Sequence, residues 1–321
     1  MYHALHTEVA HDENDYVTID YGASPNKIIA TLTERGIIQS PRATKLYLRF
    51  INRSVTLQAG DYVFPSPVSP LGVIDILGQG RKRTENLTIL EGWTRFEIAE
   101  AIAKKFPDET AADPAAVLEL MNDATLIRDL DPKATSLEGY LYPDTYAIEV
   151  GSSPREVIRR LVRQFREVWQ PAWNDRAREL GRSPREILII ASLIENESKV
   201  DRERPAVASV IYNRLRQQMP LGIDATNVYL AKMLGRWDGI LHRSDLEIDH
   251  PYNTRKVRGL PPGPISSPSK SSIEAALYPA ETDYLYYVLN VDTGDGTHHF
   301  YATEEGFFRG KARYQQWLRE Q

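Results

Sequence analysis

A short apolar run, a glycine turn and an amphipathic segment follow one another twice in the N-terminal part of the chain. The two copies lie at residues 17–32 and 87–102. In each copy a Ser or Thr that can cap a helix precedes apolar residues at helical spacing. Pro25 occupies the first helical position of the first copy, and Thr94 with Glu97 forms a capping box in the second. The pattern predicts a duplicated β–turn–α unit.

Longer helices are predicted after residue 150. Ser153 and Ser183 each begin a capping box with proline at the first helical position, and each is followed by apolar residues at helical spacing. The second of these helices contains the apolar run 187–194, and a further helix is predicted at 205–218. The arginines of the first helix fall mainly on its other face, which is typical of a solvated surface.

These elements predict an α+β chain with small β–α modules ahead of a larger, mainly helical domain that includes a short sheet. We expect a polar tail at residues 1–13, an N-terminal β–α module at 14–85, a second module at 86–150 and the large domain at 151–321. A chain of 321 residues is long enough for this organisation, because domains commonly have about 100–200 residues.

Composition excludes several classes of function. With 39 Lys and Arg against 44 Asp and Glu the net charge is −5, so a nucleic-acid partner is not expected. The chain has no cysteine, which excludes disulfides, thiolate metal sites and cysteine nucleophiles. His3 and His6 have a spacing that metals accept but lie in the predicted tail, so neither a metal nor a cofactor is expected. No signal peptide and no run of about 20 apolar residues is present.

The end of the apolar helix at 187–197 carries the strongest candidate for chemistry. A carboxylate on such a helix loses hydration, and its pKa rises towards the range of a general acid. Two residues compete, because positions two apart on a helix point to nearly opposite sides. Glu197 continues the stripe of Ile190 and Ile194, whereas Glu195 lies on a more polar track. Both glutamates also fit an ordinary solvent-facing helix end.

The segments that follow are rich in side chains that bind sugars. Tyr, Asn and Thr can hydrogen-bond hydroxyl and acetamido groups or stack on a sugar face, and a proline loop gives a rigid groove wall. The candidate substrate-binding residues in these segments are Asn213, Asp224, Thr226, Tyr252, Asn253, Thr254, Pro262 and Gly263.

Eight segments in order resemble the YceG-like endolytic murein transglycosylases, also called the MltG family. They are LQAGDYVF, LEGYLYPDTYAI, ASLIENES, ASVIYNRL, the segment 224–226, HPYNT, GLPPGPISSP and YLYYVLNVDTGDGTHHF, which run from residue 57 to residue 300. Each segment alone is weakly specific, but the ordered set is highly specific. Gly306 departs from the histidine that relatives often carry, so any role of that position is open.

The resemblance implies the fold and the site. It implies a LysM-like glycan-binding module, which suits the second repeat copy, ahead of a lysozyme-like catalytic domain. A Glu-Ser pair like that of lytic transglycosylases places the catalytic acid on Glu197 with Ser198 beside it, and Glu195 stays as the reserve. Glu138 and Tyr142, in the segment LEGYLYPDTYAI, complete the expected substrate-binding residues.

The expected activity is endolytic cleavage of peptidoglycan between N-acetylmuramic acid and N-acetylglucosamine, with formation of 1,6-anhydro-muramyl ends and trimming or termination of nascent strands. The expected partners are glycan strands and cell-wall synthases of the penicillin-binding class. The family also implies a single-pass N-terminal anchor in the bacterial cytoplasmic membrane, which this chain lacks, with the enzyme outside. Two alternatives remain open: a non-catalytic peptidoglycan-binding protein, and a hydrolytic muramidase that uses Asp224 or Glu138 as its second carboxylate.

Overall fold

Helices dominate the computed structural model, which describes residues 2–11, 17–52, 55–80, 84–106, 113–149 and 151–320. Three two-stranded sheets accompany the helices in these described ranges. The α+β prediction is therefore confirmed at the level of fold class. Within the same ranges, no helix combines the length and the apolar composition needed to cross a bilayer.

The chain divides into two compact units. One comprises residues 1–86 and 147–150, and the other comprises residues 87–146 and 151–321. The first division lies next to the boundary predicted after residue 85. The boundary predicted near residue 150 does not separate domains, because residues 87–146 belong to the same unit as the helices that follow.

The smaller unit surrounds one apolar core. Ser24 caps a helix by accepting a hydrogen bond from the Lys27 backbone N–H, as the first repeat copy predicts. Ile28 and Leu32 on that helix are buried with Tyr62 of the neighbouring strand. The elements are α1 (Tyr2–His6), β1 (Val17–Ile19), α2 (Pro25–Glu34), α3 (Pro41–Phe50), β2 (Gly60–Tyr62) and α4 (Pro70–Gln79), with β1 antiparallel to β2.

The described part of the predicted polar tail is structured. Residues 2–6 form α1, and Leu5 on this helix is buried. The Val9 and Val68 backbones exchange two hydrogen bonds, of 2.9 and 3.1 Å. The tail prediction is therefore wrong for residues 2–11, because two isolated apolar residues suffice to attach this polar segment to the core. The rest of the predicted tail includes residues 12 and 13, which lie outside the described residues.

The second repeat copy opens the larger unit. Its strand β3 (Thr84–Thr88) pairs with β4 (Thr145–Glu149), and both strands straddle the division between the units. The helix α5 (Arg95–Lys105) begins with the predicted capping box of Thr94 and Glu97. A second helix, α6 (Pro114–Asn122), and a short 3₁₀ turn complete this part.

Further helices follow in the larger unit, and one of them is apolar and packs against four others. They are α7 (Pro154–Val168), α8 (Pro171–Glu179), α9 (Pro184–Glu197), α10 (Arg204–Arg216), α11 (Asp224–Met233), α12 (Arg243–Leu246) and α13 (Lys270–Leu277). Every residue of α9 from Ile187 to Ile194 is buried, because α8, α10, α11 and α13 all pack against it. A helix that is apolar on all sides belongs in the interior.

A small sheet and a long helix end the chain. Strands β5 (Tyr286–Leu289) and β6 (His298–Tyr301) are antiparallel, with Tyr287 opposite Phe300. The helix α14 (Glu304–Glu320) packs against both strands. Gly306 is buried in the first turn of α14 against the Tyr301 ring.

Candidate functional site

Both candidate glutamates lie in the last turn of α9, which is held rigidly at each end. Ser183 and Glu186 form the predicted capping box at its start. The helix ends at Ser198, whose backbone is extended and whose N–H still donates to the Ile194 carbonyl. The two carboxylates are therefore presented by a buried, fixed element rather than by a loop.

Both carboxylate oxygens of Glu195 have partners within the protein. Its Oε1 lies 3.1 Å from Nη2 of Arg204, and only 5% of each of these two side chains is exposed. The backbone N–H and the hydroxyl of Ser269 donate to Oε2 over 2.8 and 2.5 Å. Because Ser269 caps α13 and Arg204 begins α10, the carboxylate joins three helices. Such a group has no free oxygen to offer a substrate.

Glu197 has a different environment. Among the described residues its carboxylate has one hydrogen bond, which the Tyr287 hydroxyl donates to Oε2. Burial raises the pKa of the Glu197 carboxyl above its usual range, the nearby negative charge of Asp224 adds to the rise, and the Tyr287 hydrogen bond with the positive charges of His298 and Arg214 opposes it. A raised pKa keeps the proton that a general acid needs.

The small C-terminal sheet supplies the groups around Glu197. Tyr287 lies on β5, and the His298 ring on β6 meets the Tyr287 ring edge-on at 5.4 Å between centroids. Glu203 accepts hydrogen bonds from the His298 backbone N–H at 2.8 Å and lies 3.1 Å from its ring Nδ1. Arg214 reaches the same region and donates to the carbonyls of Leu285 and Leu221, each at 2.7 Å.

Sequence reasoning did not single out Tyr287, His298 or Glu203. The tyrosine-rich run at 284–287 and the segment at 298–301 suggest strands, but their pairing across the chain is needed to bring Tyr287 to Glu197.

Asp224 is the second carboxylate near Glu197. It begins α11, is about half exposed, and pairs with Arg255 at 2.5 Å. The charge of Asp224 raises the pKa of Glu197, and the Arg255 guanidinium occupies one side of the Asp224 carboxylate. Asp224 thus acts on Glu197 through its charge, together with a cation that the sequence did not indicate.

Several other predicted binding residues have their polar groups engaged inside the protein. Thr226 and Thr254 are buried, with their hydroxyl oxygens 3.0 Å apart. Asn253 donates to the carbonyls of Leu246 and Ile248, Asn213 donates to those of Thr282 and Tyr284, and Ser198 bonds Val200. These five side chains fix the loops around the site rather than face an open groove.

Tyr252 and the proline loop, residues 259–268, form another part of the surroundings of α9. Tyr252 is partly exposed and lies against the rings of Tyr229 and His250. Pro262 is exposed, whereas Gly263 is buried so close to the Tyr252 hydroxyl that a Cβ there would lie 2.8 Å from it. The loop is thus packed without space for a larger residue at its centre.

The same loop is attached to α9 and to the second repeat copy. Asn196 donates to the Ser266 hydroxyl over 2.7 Å. Ser267 exchanges backbone hydrogen bonds of 2.9 and 2.8 Å with Gly92 and Trp93. Gly139 has a φ of +83° and a Cβ there would lie 2.6 Å from Pro264, so only glycine fits this contact.

Glu138 and Tyr142 lie on the segment that contains Gly139. Glu138 is buried, accepts hydrogen bonds from the Arg95 backbone N–H at the start of α5, and has its pKa raised by burial to about 7. Tyr142 is partly buried, and burial raises the pKa of its hydroxyl. Glu138 therefore joins α5 to the loop, and nothing places it against Glu197.

The arrangement suits chemistry with a single acid–base group. Burial raises the pKa of one carboxyl, a phenol occupies one of its oxygens, and the second carboxylate is paired with an arginine. In the described ranges, no group of three or more His, Asp or Glu side chains is arranged to hold a metal ion.

Comparison with known proteins gives a consistent result. The YceG-like family model matches residues 17–313. The endolytic murein transglycosylase of Bacillus subtilis is 34% identical over 288 residues, covering 85% of this chain and 78% of that protein. The endolytic murein transglycosylase of Streptococcus pneumoniae is 28% identical over 305 residues, covering 87% of this chain and 55% of that protein, so the chain spans about half of its length.

A solved structure agrees with these matches. The crystal structure of a YceG-like protein from Listeria monocytogenes has a TM-score of 0.60 and 32% sequence identity. The match covers 92% of this chain and 98% of the Listeria chain. The resemblance drawn from the eight sequence segments is confirmed.

Proposed function

The chain belongs to the YceG-like family, and from this premise we propose that it is a peptidoglycan lytic transglycosylase that uses Glu197 as its acid and base. Two relatives carry the name endolytic murein transglycosylase. The single observation that carries the proposal is the Glu197 carboxyl, whose pKa is raised by burial and which has one oxygen free of hydrogen bonds among the described residues. The enzyme then cuts between N-acetylmuramic acid and N-acetylglucosamine within the strand.

One residue suffices for this reaction. Glu197 gives its proton to the oxygen that links the two sugars, and the bond from that oxygen to the anomeric carbon of the muramyl residue breaks. The C6 hydroxyl of the same muramyl residue then bonds to the anomeric carbon and returns its proton to Glu197. No water is consumed, and the product ends in a 1,6-anhydro-muramyl residue. Attack from within one bound sugar avoids the entropy of recruiting a second reactant.

The hydrolytic alternative requires a second carboxylate that activates water. Asp224 is paired with Arg255, whose guanidinium occupies one side of the carboxylate, and Glu138 is engaged with the start of α5. A non-catalytic wall-binding protein would have no use for a carboxyl whose pKa is raised by burial at the end of a buried helix. Both observations favour the transglycosylase.

Product analysis tests the proposal. Incubation of the protein with purified sacculi is expected to release muropeptides with anhydro-muramyl ends, each lighter by one water than the corresponding hydrolysis product, as mass spectrometry reads directly. Early internal cuts should shorten long strands before small products accumulate. Reducing muramyl ends alone would support a muramidase, and unchanged sacculi that retain bound protein would support a non-catalytic binder.

We also propose that residues 86–150 are a LysM-like module, which binds glycan without taking part in the chemistry. Trp93 is partly exposed, and its turn is bonded to Ser267 of the proline loop. A Cβ at the adjoining Gly92 would lie 3.8 Å from Cγ of Glu195, so this turn lies beside the end of α9. An indole at this position can stack on a sugar of a strand that enters the site.

Replacement of Trp93 by alanine is expected to weaken retention on insoluble sacculi about fivefold, as the loss of about 1 kcal/mol of stacking implies. Pull-down at a series of sacculus concentrations measures the change. Trp317→Ala, which removes a partly exposed indole from α14, is the control for lost aromatic surface. Equal retention of the Trp93 variant and the unaltered protein would remove this turn from the binding surface.

The place of action follows from the substrate. Peptidoglycan lies outside the cytoplasmic membrane, so we propose that the protein acts there, from a membrane anchor and beside cell-wall synthases of the penicillin-binding class. This part of the proposal is supported by family membership alone.

A further inference from the structure

The Tyr287 hydroxyl has a single use in the structure. Glu197 is its one acceptor among the described residues. Burial and the neighbouring Glu197 charge raise the pKa of Tyr287 well above its usual value. The phenol therefore keeps its hydrogen and acts as an O–H donor at neutral pH.

We propose that Tyr287 is the positioning residue of Glu197. Its hydroxyl donates a hydrogen bond to Oε2, so that the proton transferred in the reaction is carried by Oε1. The inference rests on the proposed function of Glu197 as acid and base. Tyr287 itself gives and takes no proton in the reaction. Its contribution is to select one of two otherwise equivalent carboxyl oxygens and to hold the plane of the carboxyl group.

The direction of the hydrogen bond follows from counting donors. If protonated Glu197 donated to the phenol oxygen, the phenol hydrogen would need another acceptor, and no described residue provides one. A buried O–H without an acceptor is destabilising. The stable arrangement has the phenol donating to Oε2 in both protonation states. The acidic proton then resides on Oε1, which has no hydrogen-bond partner among the described residues.

The sheet holds the phenol in this orientation. The His298 ring meets the Tyr287 ring edge-on, and the Phe300 ring lies 5.9 Å away on the opposite strand. Glu203 holds His298 by its backbone N–H and its ring. Glu203 immediately precedes α10, so the strand that carries His298 is attached to the helical body. Tyr287 consequently cannot turn away from Glu197 without breaking these contacts.

Four groups from separate elements act on the Glu197 carboxyl. Asp224 of α11 favours its neutral form, whereas Arg214 of α10, His298 of β6 and the Tyr287 hydrogen bond favour its charged form. Removal of the hydroxyl takes away a bond that favours the charged form, so the pKa of Glu197 rises. Because the reaction starts from protonated Glu197, the basic limb of the pH–rate profile then moves to higher pH.

Tyr287→Phe is the test, since phenylalanine keeps the ring and its packing. We expect the basic limb of kcat/KM on peptidoglycan to move up by about one pH unit. We also expect kcat at the new optimum to fall about 10-fold to 100-fold, because the freed carboxyl no longer holds the productive orientation. The matched control is Tyr284→Phe, which removes, from the segment just before β5, a hydroxyl that has no hydrogen bond among the described residues. Its profile should coincide with that of the unaltered protein.

A second readout separates this inference from the proposed function. The carboxyl-carbon NMR signal of Glu197, assigned by its absence in Glu197→Gln, should titrate at higher pH in Tyr287→Phe whether or not the protein cleaves peptidoglycan. An unchanged titration, or a loss of activity without movement of the basic limb, would reduce Tyr287 to a packing residue and overturn the inference. An upward titration in a protein without activity on sacculi would overturn the proposed function and leave the role of Tyr287 standing.

Discussion

Replacing Glu197 by glutamine is expected to reduce release of anhydro-muropeptides by at least about 10³–10⁴-fold. General acid–base help from one group is typically worth about 10²–10⁴-fold, and here one residue serves both proton transfers. The amide is nearly the same size as the acid and still accepts from Tyr287, so the fold and glycan binding should be retained. Chromatography of digested sacculi measures the activity, with circular dichroism and sacculus pull-down as controls.

Glu195→Gln is the matched comparison, two residues away on the same helix. Its carboxylate is occupied by Arg204 and Ser269, so the loss of a proton donor there should leave most of the activity at temperatures where the variant is folded. Near-normal cleavage by Glu197→Gln beside an inactive Glu195→Gln would reverse the two roles. Activity in both variants would exclude a mechanism with a single carboxylate.

Arg204→Ala is expected to lower the free energy of unfolding by about 3–5 kcal/mol, because it leaves Glu195 as a buried charge without its partner. The guanidinium also bonds the hydroxyls of Ser269 and Ser271, so the start of α13 loses partners as well. Urea unfolding followed by circular dichroism measures the change.

The neighbouring arginine provides the control. The side chain of Arg202 is 69% exposed and pairs with Asp295 at the surface, so Arg202→Ala should cost less than about 1 kcal/mol. The double variant Glu195→Gln with Arg204→Met should recover part of the lost stability, since no buried charge remains unpaired. Equal effects of the two arginine variants would show that the buried pair contributes no more than a surface pair.

Local signals in the sequence predicted the starts of the helices well. The capping boxes at Ser153, Ser183 and Thr94 are all present, because each depends only on side chains within one helical turn. The α+β class followed from such signals. The domain boundary near residue 150 failed, because contacts such as those of Ser267 with Gly92 and Trp93 join segments far apart in the chain.

Helical periodicity favours Glu197 over Glu195 because it places Glu197 on an apolar side of α9 and Glu195 on a polar side. The structure does not support this distinction. The track that contains Ser192 and Ser198 is polar in sequence but buried, so both sides of α9 face protein. What distinguishes the two glutamates is their partners. Glu195 meets an arginine, whereas Glu197 meets a phenol from a strand that lies far along the chain. Periodicity within one helix carries no information on such partners.

The attachment of the proline loop to the turn at Gly92 and Trp93 also bears on how this protein can be recombined. A chimaera joined at residue 150, which would give the C-terminal helices a foreign wall-binding module, would open two backbone hydrogen bonds at Ser267 and remove the neighbour of Pro264 at Gly139. The loop beside the acid would then lose support on two sides. When modules are exchanged within this family, residues 87–146 should therefore be kept together with the helices that follow.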